Sequence, residues 1–129
     1  MTETFESPEQ RGERVYELFQ KGTALLDSGD FAAAAVPLEQ ARDLEPDKTS
    51  IREALGRAYF RSARFSAAAT EFAAVIDRSP VDHYSHFCLG RSLEKTGQAV
   101  EARRHAALAV GMRPDREDYR AFNERLRTA

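Results

Sequence analysis

Apolar residues recur three and four positions apart through almost the whole chain, and no segment alternates strictly between apolar and polar, so the pattern predicts helices and no strands. The helix ends are punctuated. Ser7-Pro8-Glu9-Gln10 reads as a start, with a capping serine, proline at the first helical position and Gln10 placed to complete a capping box. This helix is expected to run to about Ser28, where Gly29 ends it and Asp30 caps the next, over about Phe31 to Leu44. Asp47 is assigned as cap of a helix to about Ser62, followed by one over about Ser66–Asp77. Asp82 caps another to about Thr96, Gly97 breaks it, and about Gln98–Met112 follows. Asp115, with Asp118 three residues on, opens a last helix to about Arg127, on which Tyr119, Phe122 and Leu126 form one apolar face. Seven helices with short turns leave no linker between domains. Pro37 falls inside the second helix, where its missing N–H and ring clash predict a local bend near Ala33.

The pattern also repeats. Pro46, Pro80 and Pro114 are each 34 residues apart. Gly22, Gly56 and Gly90 precede them at a constant offset, as do Ala34, Ala68 and Ala102. A fixed period in this range implies stacked repeats, each burying a face that it cannot bury alone. The glycines and alanines let two helices of a repeat approach closely, and the prolines end one repeat and turn into the next.

The unit resembles the tetratricopeptide repeat. The second copy carries Leu55-Gly56, Tyr59, Ala68, Phe72 and Pro80; the third, Leu89-Gly90, Leu93, Gly97, Ala102 and Pro114, with Ala106 where an aromatic is usual. The first carries Leu18, Gly22, Leu25, Gly29, Phe31, Ala34, Leu38 and Pro46, with Lys21 where leucine is usual. The resemblance covers about residues 15–114. It implies an all-α chain: a right-handed α-solenoid of three helical hairpins (about 15–48, 49–82 and 83–116) closed by a capping helix (about 116–127). The expected division is a disordered segment 1–6 and a single domain 7–129.

The resemblance further implies a concave groove lined by the first helix of each hairpin. Its positions fall at Tyr16, Phe19, Thr23, Leu26 and Asp27, then at Ser50, Glu53, Arg57, Phe60 and Arg61, then at Tyr84, Phe87, Arg91, Glu94 and Lys95. Arg57 and Arg61 share a helix face, and Arg91 and Lys95 repeat the pair. With Tyr16, Phe19, Phe60, Tyr84 and Phe87 beside them, they have the composition of a binding hot spot. The competing reading is a solvated face whose cations are answered by Glu53, Glu94 and Asp27. One known mode of the family, the clamp that holds a chaperone's terminal carboxylate, uses lysine, arginine and asparagine. At those positions this chain has Phe19, Thr23, Ala54, Tyr84 and Cys88, so that mode is not expected.

Composition narrows the classes. The chain has 129 residues, a net charge of −2 and 31% charged residues, which fits one water-soluble domain without a basic field for nucleic acid or membrane. No apolar run is long enough to span a bilayer, the first six residues carry no signal pattern, and cytoplasm is the expected location. Scarce lysine beside abundant alanine and arginine points to a GC-rich, bacterial source. Cys88 is the single cysteine and excludes an internal disulfide. His83, His86 and Cys88 lie close in sequence, but His86 occupies a packing position and Cys88 points elsewhere, so no metal, cofactor or catalytic site is expected. The chain is read as a non-catalytic adaptor whose groove takes a protein or peptide partner, including one with acidic groups. Self-association through the groove or a repeat edge is the alternative.

Overall fold

The computed structural model describes residues 5–128. Seven α-helices follow in order: α1 Pro8–Asp27, α2 Phe31–Leu44, α3 Thr49–Arg61, α4 Phe65–Arg78, α5 His83–Lys95, α6 Ala99–Met112 and α7 Glu117–Thr128. Among the described residues there is no strand. Of the segment 1–6 expected to be disordered, residues 1–4 lie outside the description. Phe5 and Glu6 have no regular secondary structure, and Glu6 accepts an ion pair from Arg14 at 2.8 Å.

Each helix packs on the next in the chain, so α1–α2, α3–α4 and α5–α6 are hairpins and α7 lies on the last of them. The capping box of α1 forms in full: Gln10 N–H donates to Ser7 Oγ at 3.1 Å, and Ser7 N–H donates to Gln10 Oε1 at 2.9 Å. Three caps differ from expectation. α3 begins after Lys48 and α7 begins at Glu117, so Asp47 and Asp115 each stand one residue too early to cap. Asp82, two residues past its proline, does cap and accepts from Ser85 N–H at 3.0 Å. Asp47 instead pairs with Arg78, and Asp115 with Arg113 at 2.7 Å. Asp30 precedes α2 but makes no side-chain cap bond; its carboxylate accepts from Ser28 Oγ at 3.0 Å.

One core cluster runs from Leu26 through Leu38, Leu55, Phe72 and Leu89 to Phe122 and Leu126, tying all three hairpins to α7. A smaller one joins Val15, Ala41 and Ile51 at the start of the stack. The repeated alanines Ala34, Ala68 and Ala102 are fully buried. At Gly56 an added Cβ would lie 2.8 Å from the Phe72 ring, so close approach requires glycine there. Pro37 is buried inside α2, and Ala33, whose carbonyl its ring frees, is exposed where water can serve it. Tyr119, Phe122 and Leu126 are buried, which makes α7 the cover of the third hairpin.

Candidate functional site

A half-open groove of about 480 Å³ lies where three hairpin elements meet. The end of α1 and its turn supply Leu26, Asp27, Ser28 and Gly29, and the start of α2 supplies Phe31. Arg57, Phe60 and Arg61 come from α3, Tyr84, Cys88 and Arg91 from α5, and Phe72 of α4 reaches the floor between them. The helical period makes this convergence: residues three and four apart on α3 and α5 present one stripe each to the same side.

The floor is apolar and the rim is basic. Arg57, Arg61 and Arg91 are exposed, and among the described residues none has a carboxylate within 4.0 Å. Glu94, expected as an answer to Arg91, is taken by Arg125 of α7, with bonds of 2.5 and 2.9 Å; these bonds hold its carboxyl below the usual range. Glu53 is half-buried, and its pKa is raised by burial first and by Asp82 next, with Arg57 opposing. The reading of a self-paired, solvated face is thus not supported at the arginines.

Aromatic rings orient two of these guanidinium groups. Arg61 sits 4.3 Å above the Phe31 ring, and Arg91 sits 4.7 Å above Phe60. Burial pushes the Cys88 thiol up to about 12 and raises the Tyr84 phenol, so both enter the groove uncharged. Asp27 is the one carboxylate on the lining, which leaves the groove net positive.

The other expected groove residues lie elsewhere. Tyr16 is 61% exposed on α1, its hydroxyl accepting from Gln20 at 2.8 Å, and it is not on the groove lining. Phe19 is half-buried and packs between the two core clusters. Phe87 lies under α7, with ring centroids 4.7 Å from Tyr119 and 5.4 Å from Phe122. Lys95 stands 5.9 Å from the Phe65 ring, the same contact that Arg61 makes with Phe31 one repeat earlier. The lining from Phe31 and Phe72 was not anticipated, because both sit on second helices and look like packing residues.

His83, His86 and Cys88 separate into three environments. His83 Nδ1 is 2.7 Å from the Tyr119 hydroxyl, His86 Nδ1 is 3.0 Å from His105 Nδ1, and Cys88 faces the groove. Among the described residues no three His, Cys, Asp or Glu side chains group as metal ligands. No described helix is long and apolar enough to cross a membrane.

Stacked helical hairpins with a lined concave side define the α-solenoid class. The tetratricopeptide repeat family model matches residues 19–64 and 53–117, and the chain belongs to that family. A comparison with curated proteins finds no match. Solved structures share the fold. The TPR domain of Arabidopsis OM64 superposes with a TM-score of 0.86 at 16% identity, covering 92% of this chain and 98% of its own. The first TPR of Spaghetti (RPAP3), solved bound to the HSP90 peptide SRMEEVD, gives 0.84 at 15%, covering 90% and 92%. MamA 41-end from Desulfovibrio magneticus RS-1 gives 0.85 at 20%, covering 88% of this chain and 64% of that one.

Proposed function

We propose that this chain is a non-catalytic protein–protein interaction module that holds an acidic segment of a partner in its concave groove. One observation carries the reading: Arg57, Arg61 and Arg91 surround an apolar floor, and none of them has a carboxylate of the described chain within 4.0 Å. Burying exposed arginine beside aromatic side chains is the composition of a binding hot spot. The partner's apolar side chain takes the floor between Leu26, Phe60 and Phe72, while its carboxylates meet the guanidinium groups. Tyr84 lends a hydroxyl at the edge. The family match supports a binding role, and one neighbour of the same fold is bound to an acidic peptide.

Because Phe19, Thr23, Ala54, Tyr84 and Cys88 stand where the terminal-carboxylate clamp has charged or amide side chains, the partner is read as an internal segment. Tyr16 and Lys95, both exposed, would extend the contact beyond the groove centre only if the segment runs along the full stack, whereas Phe19 and Phe87 are covered by the core and by α7.

A pull-down comparing the native chain with Arg57→Glu/Arg91→Glu tests this. Native bait should recover partners that the variant loses. Equal recovery by both baits contradicts the basic-groove reading. Light scattering over a dilution series addresses self-association: a monomer at micromolar concentration removes it, and a dimer abolished by the same substitutions would put a second copy in the groove.

A further inference from the structure

The second and third repeats make one contact in two chemistries. Arg52 on α3 donates to Glu71 on α4 at 3.1 Å, and these residues are 19 positions apart. One repeat later the same positions are His86 on α5 and His105 on α6, with Nδ1 atoms 3.0 Å apart. One repeat earlier they are Leu18 and Pro37. The second partner of the first residue also recurs. Arg52 Nε donates to the Pro46 carbonyl at 2.9 Å, and His86 Nε2 lies 2.8 Å from the Pro80 carbonyl.

That carbonyl fixes the protons. A carbonyl only accepts, so His86 Nε2 carries a hydrogen. In the neutral ring His86 Nδ1 is then an acceptor, and His105 Nδ1 must donate to it. The rings lie 24° from parallel, and the residues are only 4% and 9% exposed. A proton on either ring places a charge in this contact, and a proton on both sets two N–H donors face to face.

No carboxylate stands free to offset such a charge. Glu101 of α6 favours a proton on His105, but Arg104 opposes it and holds the Glu101 carboxylate at 3.2 Å. On α5, Asp82 caps the helix and His83 is held by the Tyr119 hydroxyl. On α4, Glu71 is engaged by Arg42 and Arg52, and Arg78 by Asp47, while Asp77 is exposed. On α7, Asp118 is held by Arg116, and Arg120 donates to the Pro114 carbonyl. In the second repeat the equivalent charges answer each other.

We propose that the His86–His105 contact is a proton-operated latch that keeps the third hairpin closed when neutral and releases it on protonation, while the first two hairpins stay folded. The direction of titration agrees: burial, then His86, lowers the His105 pKa below the ordinary histidine value. A group with a lowered folded pKa favours folding above its unfolded pKa, and this is lost as pH falls through the unfolded and then the folded value. The latch sits on α5, which also carries Tyr84, Cys88 and Arg91 of the groove wall. Acid release of a bound segment is the consequence if the groove is the binding site; the latch itself does not depend on that.

The test compares urea unfolding of the native chain between about pH 7.5 and pH 5 with His86→Arg/His105→Glu, the second repeat's own pair. The native unfolding constant should rise by up to about tenfold per pH unit below roughly pH 6.5, and the graft should remove that rise. His83→Gln should keep the native profile. A native and a grafted profile that fall together overturn the latch. Amide exchange of the native chain, corrected for intrinsic rates, decides independently of whether the graft folds. Acid should strip protection from α5, α6 and α7 first. Uniform loss across all hairpins, or none, overturns the proposal without bearing on what the groove binds.

Discussion

Single positions show how much of the repeat was readable. Gly29 and Gly97 adopt positive φ of 83° and 80° in the turns, and the residue at the same phase between them is Ala63, at 62°. A side chain in this conformation costs roughly 1–2 kcal/mol, partly offset by the extra freedom glycine has when unfolded. Ala63→Gly is therefore expected to stabilise the chain by about 0.5 kcal/mol, and Gly97→Ala to destabilise it by about 1 kcal/mol, both read from urea midpoints. The 34-residue spacing marked these turns, but it could not show that alanine holds the glycine conformation. The residues six after each proline were less legible still. Arg52, His86 and Arg120 all engage the carbonyl of their own proline, and a histidine between two arginines at one phase does not announce one contact.

At the scale of the helices the sequence was most informative, because period and caps are local. Element type was right throughout, and the boundary errors at Asp47 and Asp115 share one cause: capping falls two residues past the proline, where only Asp82 carries a suitable side chain. What local pattern could not reveal is how neighbouring hairpins are tied. Glu71 is 3% exposed and accepts from Arg42 of α2 at 3.2 Å and Arg52 of α3 at 3.1 Å. These partners lie 29 and 19 positions away, beyond the reach of any helix period. Removing the carboxylate strands two part-buried guanidinium groups, so Glu71→Ala should cost about 2–3 kcal/mol by denaturation, somewhat less than for a fully buried pair. The capping role of α7 was legible from Tyr119, Phe122 and Leu126, and Phe122→Ala should cost about 3 kcal/mol with early loss of protection in α5 and α6.

For the whole molecule, the repeat settled the stack and left the groove half drawn. Five of the nine anticipated residues, Arg57, Phe60, Arg61, Tyr84 and Arg91, come together on one lining. The other four lie off it: α7 covers Phe87, the core takes Phe19, Lys95 sits beside Phe65, and Tyr16 is exposed outside the lining. Phase reports which way a side chain leaves its own helix, not what packs over it. The repeat also sorts the cations. Arg61 and Lys95 make one recurring contact over the ring that opens the preceding second helix, whereas Arg57 and Arg91 occupy a phase where the first repeat has Thr23. Arg57 and Arg91 are accordingly the residues on which the account depends. Selection from a random-peptide display library, with the native chain and Arg57→Glu/Arg91→Glu as parallel baits, tests them most directly. The account predicts that native bait enriches peptides with carboxylates flanking an apolar side chain, and that the variant does not. Enrichment of the same peptides by both baits, or of peptides without acidic residues, would contradict it.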